Sequence, residues 1–439
     1  MESKEMTELC LKHTLFSWSA TGKVDPLPIA RAEGVYIYSP DGKRWLDFNS
    51  QLMSVNIGHG HPHVVKAIQK QAETLCYAGP SMATEIRAKL GARLAKMVPG
   101  DINTFFFTLG GAEANENAIK AARLFTGRHK IIARYRSYHG ATHGVMSLTG
   151  DPRRLPNEPG MSGVVRVMDP VPYDYSFGKS DDEIVRNNLA YLEEVIHYEG
   201  ADKIAAMFIE TVTGTNGILP PPKGYLQGLK ALLGKYGILL ICDEVMCGWG
   251  RTGKLFAFEH GGIVPDIVTM AKGLTSSYMP LGVMGLSDRI ANHFRENVFY
   301  GGLTYNAHPM CLAAADAVID VIESEKLVEN SARMGEIMSA RMGRLKQKHP
   351  SIKETRNIGL FGIIELQKNA KGERLVPYAS SHPVMAKIGK FFRENGLYTV
   401  LQLGGIMCNP PLTITEEQLG EGFDVIDKAL AIADEAFER

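Results

Sequence analysis

Residues that could do chemistry stand at the ends of four apolar segments in the middle of the chain. A turn of small residues, Gly110 to Ala112, follows one segment, and Glu210, Asp243 and Lys272 end or follow three others. Small residues let backbone N–H groups approach a phosphate, and a helix that starts there adds positive partial charge. A buried carboxylate needs a partner, and a desolvated lysine can form a Schiff base. Acids, a lysine and a glycine turn at neighbouring strand ends therefore form a candidate functional site.

Each feature taken alone also has an ordinary structural explanation. A glycine turn can simply join a strand to a helix, Asp243 can cap a helix or form a salt bridge, and a lone lysine is usually at the surface. Two observations distinguish Lys272. First, Gly273 follows it, and the hydroxyl residues at 275–277 add little bulk. Second, Asp243 stands 29 positions earlier in the sequence, which is one strand–loop–strand unit away.

The elements that must position these residues alternate between strand and helix. Strands are predicted at 104–108, 130–133, 203–210, 237–242 and 267–270, with helices at 113–125 and 224–236. Short continuous apolar runs suit strands buried on both faces, and this alternation predicts an α/β fold with a mainly parallel sheet. Ligands bind outside the carboxyl ends of such strands, where the four groups of residues would meet.

The two ends of the chain have a different pattern. Residues 34–48 predict a hairpin around an Asp41-Gly42 turn. Helices flank a short strand at 360–366 from about residue 323 onward, and a connecting helix is predicted at 313–322. We therefore expect an N-terminal segment, 1–60, that joins a small domain, a large domain over 61–322, and a C-terminal small domain over 323–439.

Composition excludes several classes of function. The chain of 439 residues has 48 Lys plus Arg and 48 Asp plus Glu, so it lacks the basic excess of a nucleic-acid or anionic-membrane binder. No apolar run approaches the roughly 18 residues of a spanning helix, and the start does not resemble a signal peptide. The six scattered cysteines suit free thiols. We expect a cytoplasmic protein with a small-molecule partner and neither nucleic acid nor membrane.

The run His59-Gly60-His61-Pro62-His63 first suggests a metal site. It has no matching Cys, Asp or Glu spacing, and its Gly and Pro residues predict a turn. We therefore expect no metal.

In order and spacing, the motifs resemble the class III (ω-type) aminotransferases of the fold-type I pyridoxal-phosphate enzymes. The resemblance extends from about residue 34 to 417. The shared motifs are 110–116 (GGAEANE), 138–140 (YHG), Glu210 with Gly214 and Gly217, 243–245 (DEV), 248–253 (GWGRTG), 272–273 (KG), Thr304 and 410–412 (PPL). The resemblance implies a large domain with a mainly parallel seven-stranded sheet flanked by helices, and a smaller α+β domain from the N- and C-terminal segments.

The resemblance also implies the role of each cofactor residue. Lys272 would form a Schiff base with pyridoxal 5'-phosphate and then carry protons, while Asp243 keeps the ring nitrogen protonated. Val245 and Tyr138 would cover the two ring faces, with His139 beside Tyr138. Glu210 would position the Asp243 side of the site.

Two further contacts concern the phosphate. The turn of Gly110, Gly111 and Ala112 would donate backbone N–H groups to it. Thr304 would reach the phosphate of the neighbouring subunit, which implies a homodimer and leaves a tetramer open. The family usually has Ser-Gly-Ser at this turn, so this chain lacks one hydroxyl contact.

The substrate side departs further from the family. Many members carry an arginine about ten residues before the Pro-Pro pair, where this chain has Val400. Three explanations stay open: another basic residue such as Arg136 binds the substrate acid, Gln402 contributes, or the substrate lacks an α-carboxylate. Phe16, Trp18 and Met53 match positions that line the substrate pocket in relatives.

The segments 15–20 and 150–154 resemble those of taurine and related ω-amine aminotransferases. We expect a ping-pong transaminase that moves an amino group from a primary amine or ω-amino acid, such as taurine or β-alanine, to pyruvate or 2-oxoglutarate. The alternatives are an aminomutase, epimerase or decarboxylating enzyme with the same cofactor, and a non-enzymatic binding protein.

Overall fold

The computed structural model describes residues 1–438, and a seven-stranded sheet forms its centre. The strands are β1 (Arg31–Glu33), β2 (Tyr36–Tyr38), β3 (Arg44–Asp47), β4 (Ile102–Thr108), β5 (Lys130–Arg134), β6 (Val164–Val167), β7 (Ile204–Glu210), β8 (Leu239–Asp243), β9 (Ile267–Met270), β10 (Gly282–Ser287), β11 (Ile352–Ile358), β12 (Phe361–Leu366), β13 (Leu397–Tyr398), β14 (Leu401–Gln402) and β15 (Gly405–Cys408). The helices are α1 (Ser3–His13), α2 (Ser50–Met53), α3 (Pro62–Thr74), α4 (Glu85–Met97), α5 (Gly111–Thr126), α6 (His143–Leu148), α7 (Asp181–Glu199), α8 (Tyr225–Lys235), α9 (Asp288–Glu296), α10 (Pro309–Ser324), α11 (Leu327–Lys348), α12 (Pro383–Glu394) and α13 (Glu416–Glu435).

The large sheet has the order β4-β10-β9-β8-β7-β5-β6. The five strands β9, β8, β7, β5 and β6 pair in parallel with their neighbours in that order. Strand β10 lies between β4 and β9 and is antiparallel to both. The prediction of an α/β fold with a mainly parallel seven-stranded sheet is confirmed. The antiparallel β10 was not predicted, because its sequence, GVMGLS, has two glycines and no long apolar run.

Helices cover both faces of this sheet because alternate strand residues point to opposite sides. Met207 and Leu240 belong to a core shared with α4, α8 and α10, whereas Phe208 and Ile241 pack with α5. Every residue of β7 is buried. The sheet is therefore covered on both faces, and its strand ends are the place where polar side chains can collect.

Two smaller sheets involve both ends of the chain. One has the order β1-β2-β3-β13, so a strand from near residue 397 pairs in parallel with β3. The other, β11-β12-β15-β14, is antiparallel. The hairpin predicted at 34–48 is present as β2 and β3, joined through a turn in which Gly42 N–H donates to the Ser39 carbonyl.

Several boundaries differ from the prediction by a few residues. Ala201–Lys203 form a short 3₁₀ turn, so β7 begins one residue later than expected. Asp243 is the last residue of β8 rather than the first residue after it. The two-residue strands β13 and β14 were not foreseen, because such short segments carry no periodic pattern. In the described part of the chain, no helix is long and apolar enough to cross a bilayer.

Candidate active site

A cavity of about 600 Å³ lies at the carboxyl ends of the central strands. Nine residues that the sequence singled out line it: Gly110, Gly111, Ala112, Tyr138, His139, Glu210, Asp243, Val245 and Lys272. They come from β7, β8, the turn after β9, the start of α5 and the loop after β5. The parallel topology thus brings together residues that are up to 162 positions apart in the sequence.

Asp243 lies at the base of this cavity with only 4% of its surface exposed. Its Oδ2 accepts hydrogen bonds from Asn115 Nδ2 and His139 Nδ1, both at 2.8 Å, and its Oδ1 accepts from the Val245 N–H at 3.0 Å. Because an ionised carboxylate only accepts, His139 carries its proton on Nδ1. A buried carboxylate with three donors has a fixed orientation and a stabilised negative charge.

Glu210 is a second buried carboxylate and pairs in strand register with Asp243. Its oxygens accept from the Tyr138 N–H at 2.9 Å and the Gly214 N–H at 2.8 Å. Burial raises the pKa of Glu210, and nearby His139 opposes that shift. Glu210 therefore holds the backbone that carries the Tyr138 ring, and its hydrogen bonds do not go to Asp243 itself.

Lys272 follows β9 in a 3₁₀ turn with a φ of 42°, in the left-handed region that non-glycine residues rarely adopt. Such a conformation costs about 1 kcal/mol and persists only where the surroundings impose it. Within residues 1–438 its side chain has no hydrogen bond or ion pair. Burial lowers the pKa of Lys272, an effect opposed by Asp243 and Glu210 and assisted by nearby Arg153. Lys272 is thus set up as an amine that loses its proton readily.

The backbone around Lys272 and α5 is packed closely. A Cβ added at Gly273 would lie 2.3 Å from Asn56 Nδ2, and one added at Gly111 would lie 2.7 Å from Val245 Cγ1. Gly110 is the N-cap of α5 and offers no capping side chain, so the first-turn amides of the helix stay available at the cavity. Close contacts thus explain Gly273 and Gly111, whereas nothing lies within 4 Å of a Cβ added at Gly110.

We call Asp243, Glu210, His139, Asn115 and Lys272 the floor of the cavity. Residue type alone does not single out Asn115 as a site residue, although it belongs to the 110–116 motif. It bridges the floor, because Nδ2 donates both to Asp243 and to the His139 carbonyl, the latter at 2.7 Å. Its position one helical turn after Gly111 was the available signal.

Four residues lie beside residues that line the cavity without being lining residues themselves, and we call them its mouth: Trp18, Arg153, Met53 and Val400. Trp18 is 58% exposed and meets the Tyr138 ring edge-to-face, with centroids 6.1 Å apart. The Arg153 guanidinium carbon lies 3.8 Å from the Tyr138 centroid and 5.4 Å from that of Trp18. Arg153 was noted only within the 150–154 segment, because no local pattern reveals which ring a loop arginine will cover.

Arg153 is held in a fixed orientation. Its Nε and Nη2 pair with Asp151, and Nη2 also donates to Thr215 Oγ1 at 2.9 Å. Nη1 has no hydrogen-bond partner within the described chain. Arg153 therefore presents an oriented donor beside the Tyr138 face.

Met53 is buried in an apolar cluster with Met246, a lining residue of the cavity, and Val400 packs against the same cluster. Val400, which stands where the resemblance leads us to expect an arginine in many members, thus lies against an apolar cluster. Gln402 pairs with Gly405 in the β14–β15 hairpin. Like the four mouth residues, Gln402 and Phe16 are not among the residues that line the cavity.

The suggestion that Arg136 binds a substrate acid is wrong. Its guanidinium donates to the carbonyls of Val171, Pro172 and Asn216, at 3.2, 3.3 and 2.6 Å. It is 9% exposed, and burial lowers its pKa. Arg136 is fixed inside the protein and ties three loops together.

Two other predicted features lie away from the cavity. The carbonyl of Thr304 accepts from Tyr77 Oη at 2.7 Å, and Thr304 does not line this chain's cavity. The histidines of the 59–63 run turn to three separate carboxylates, since His59, His61 and His63 pair with Asp47, Glu325 and Asp320. No cluster of three metal-ligating residues occurs in residues 1–438.

The cavity fits pyridoxal 5'-phosphate on chemical grounds. Lys272 supplies an amine of lowered pKa for the carbonyl, Asp243 a fixed negative charge for the ring nitrogen, and the start of α5 free amides for the phosphate. The Tyr138 ring and Val245 supply the apolar surfaces that a flat ring needs.

Comparison with known proteins agrees with this geometry. Residues 19–430 match the family described as aminotransferase class-III. The structure of taurine:2-oxoglutarate aminotransferase from Bifidobacterium kashiwanohense, in complex with PLP and glutamate, is 39% identical, covers 99% of both chains and has a TM-score of 0.96. An (S)-enantioselective omega-transaminase from Thermomicrobium roseum is 36% identical over 100% of both chains, with a TM-score of 0.93.

A curated relative gives the same result. The taurine–pyruvate aminotransferase of Bilophila wadsworthia is 32% identical over 99% of both chains. The chain therefore belongs to the class-III aminotransferases and is a fold-type I enzyme that depends on pyridoxal 5'-phosphate.

Proposed function

We propose that this aminotransferase acts by a ping-pong mechanism on an ω-amino acid or aminosulfonate such as β-alanine or taurine, with pyruvate or 2-oxoglutarate as acceptor. The observation that carries the proposal is the Arg153 guanidinium, oriented by Asp151 and lying over the Tyr138 ring at the mouth of the cavity. It offers a cation for an acid group that lies some distance from the reacting amine.

Arg153 supports this substrate class because the rest of the mouth is apolar. Val400 and Met53 offer no charge for an acid, and Arg136 is occupied by backbone carbonyls. A guanidinium recognises carboxylate and sulfonate oxygens through paired donors, and Nη1 of Arg153 has no partner in the described chain. The names of two relatives, both taurine aminotransferases, agree with an acid group of this kind.

PLP, when bound, supplies an electron sink for the pair released when the proton beside the amine nitrogen is removed. In our proposal Lys272 Nζ removes that proton and later returns one. Its lowered pKa suits this work, because a base is most effective when its pKa lies near the operating pH. The acceptor keto acid then reverses these proton transfers.

Asp243 holds a proton on the ring nitrogen in this scheme. Its three donors fix the carboxylate without neutralising it, so the negative charge stays at the base of the cavity. Asn115 and His139 act as positioning residues for Asp243. Glu210 positions Tyr138, whose ring covers one face of the cofactor while Val245 covers the other.

The first turn of α5 binds the phosphate in the same proposal. Backbone N–H groups of Gly111 and Ala112, next to Gly110, supply donors, and the positive end of the helix dipole favours the negative charge. Because Gly110 and Ala112 stand where the resemblance leads us to expect serines, phosphate binding at this turn depends on backbone groups.

We propose that the enzyme is a homodimer in which Thr304 contributes to the partner's phosphate site; a tetramer remains open. Thr304 lies outside its own cavity, in a loop with large exposed aromatic residues. Tyr300, Tyr305 and Tyr77 are 71%, 53% and 42% exposed. A patch of this kind is typical of a protein interface.

We also propose that the chain divides into an N-terminal segment (1–60), a large cofactor-binding domain (61–322) and a C-terminal small domain (323–439). The pairing of β13 with β3 supports the assignment of both chain ends to one unit.

The proposal is tested by an amine panel followed by a keto-acid panel. The holoenzyme is mixed with taurine, β-alanine, a neutral primary amine or an α-amino acid, and conversion of the cofactor is followed by its visible absorption. Pyruvate or 2-oxoglutarate is then added to restore the spectrum. We expect the ω-acids to react faster than the neutral amine of equal length, and parallel double-reciprocal lines. Intersecting lines, or a preference for the neutral amine, would contradict the proposal.

The alternative reactions give a different result with one substrate. An aminomutase, an epimerase or a decarboxylase turns over a single amino compound repeatedly, whereas a transaminase stops after one half-reaction without a keto acid. The measurement is the number of product molecules formed per active site after one hour without a keto acid. A transaminase forms at most one, whereas the alternative enzymes form many.

A further inference from the structure

A second cavity, of about 490 Å³, lies under the loop between α6 and β6, outside the active site. Arg154 and Arg166 line it together with Ser147, Asn157 and Glu158. Arg166 stands on β6, the edge strand of the large sheet, and Arg154 stands in the short 3₁₀ segment Pro152–Asn157. The cavity therefore joins a rigid strand to the loop that also carries Arg153.

Positive charge exceeds negative charge at this cavity. Arg154 pairs with Glu158, the one carboxylate of the lining. Arg166 has no carboxylate partner within residues 1–438, and its guanidinium donates to the Ser147 carbonyl. Arg123, just behind the wall, also lacks an acidic partner and donates to Met161 Sδ and the Ser162 carbonyl. Three guanidiniums and one carboxylate thus lie at this cavity or directly behind its wall.

These arginines are half-buried, so water screens their charge poorly. Burial lowers the pKa of Arg166, and the nearby charge of Arg154 lowers it further. Burial likewise lowers the pKa of Arg123. An uncompensated cation in this position is costly, and an anion in the cavity would relieve that cost.

We propose that this cavity binds a phosphate group, free or as a monoester, through Arg154 and Arg166. Guanidinium forks match phosphate oxygens with paired hydrogen bonds, and a dianion balances the excess charge of the three arginines. Ser147 and Asn157 add polar groups to the wall. The site is distinct from the phosphate position proposed at α5.

The site is connected to the active site through one backbone segment. Arg153 and Arg154 are adjacent, yet Arg153 contacts Tyr138 and Arg154 faces the second cavity. Phosphate held by Arg154 would therefore contact the same 3₁₀ segment that carries Arg153. This coupling rests on the proposed role of Arg153, whereas phosphate binding itself does not.

The test is calorimetric titration of the holoenzyme, loaded with PLP and then freed of unbound PLP, so that the cofactor site is filled and no free phosphate ester competes. The ligands are sodium phosphate, glycerol 3-phosphate and succinate, at matched ionic strength in a phosphate-free buffer. Arg166→Gln and Arg154→Gln are compared with Arg344→Gln. This control removes an exposed arginine on α11, a helix that does not line the cavity. Unchanged cofactor absorption and circular dichroism establish that each variant is folded.

We expect one phosphate per chain with a Kd of about 1 mM or tighter. Each cavity variant should weaken binding by about tenfold, as expected for loss of a charge-assisted hydrogen bond, while Arg344→Gln changes nothing. Tighter binding of glycerol 3-phosphate than of phosphate would assign a monoester, and the reverse would assign free phosphate. No saturable binding, equal binding of succinate, or wild-type affinity in both cavity variants would overturn the inference.

Discussion

The floor and the mouth of the active-site cavity are built in opposite ways. Floor residues such as Asp243 and Glu210 end buried strands, and each carboxylate has its donors fixed within the protein. The mouth is assembled from distant loops, where Arg153 and Trp18 meet over the Tyr138 ring. The difference supports our proposal that the sheet fixes the cofactor chemistry, whereas loops that can change independently set the choice of substrate.

The largest effect is expected from Lys272→Ala at the floor. Without the amine, proton transfer loses its base, and kcat should fall by about 10⁴-fold, the upper end of general acid–base contributions. The loss is measured by mixing the enzyme with the most reactive amine and following the visible absorption of the cofactor through a single turnover. Lys254→Ala, an exposed lysine outside the cavity, serves as the control and should keep wild-type activity. A loss below tenfold in Lys272→Ala would remove Lys272 from the reaction.

Asp243→Asn should have the next largest effect. The amide is nearly isosteric but neutral, so the charge at the cavity base disappears, and kcat should fall by about 10² to 10³-fold. KM for every amine should change far less, because the side chain lies on the cofactor side. A variant that loses only substrate affinity would contradict the separation between floor and mouth.

Arg153→Gln tests the mouth by itself. Loss of a charged donor should raise KM for taurine or β-alanine by about 10 to 100-fold and leave KM for a neutral amine nearly unchanged. The visible spectrum of the bound cofactor should stay as in the wild type. An equal loss with both kinds of amine would show that Arg153 supports the Tyr138 ring rather than the substrate acid.

A smaller effect concerns pH. Only the neutral amine of Lys272 attacks a carbonyl, and burial lowers the pKa of Lys272 below the ordinary 10.5. The rate of PLP attachment to the apoenzyme should therefore rise with pH and level off with a midpoint below 10.5. Stopped-flow absorption measures it, with N-acetyl-lysine amide as the reference amine. A midpoint at or above that of the reference would contradict the desolvated environment of Lys272.

The same contrast explains how far the sequence could predict the site. Asp243 and Lys272 were foreseen because strand ends in a parallel sheet converge, and the ordered motifs named their roles. The positions of Arg153 and Val400 were not foreseen. Their neighbours come from distant loops, and no local periodicity records which loop arginine will cover which ring.

Within the fold, prediction failed where segments were short or broken by glycine. The strand β10, with Gly282 and Gly285, was missed, as were the two-residue strands β13 and β14. The central strands were predicted because they are buried on both faces and carry continuous apolar runs.

The proposed attachment of the cofactor to Lys272 can be tested chemically. Borohydride treatment of the holoenzyme fixes the covalent bond between PLP and its lysine, and peptide mass spectrometry then locates the added mass. We predict that the mass lies on Lys272 alone and that Lys272→Ala carries none. Added mass on another lysine of the wild-type enzyme, with Lys272 unmodified, would contradict the account.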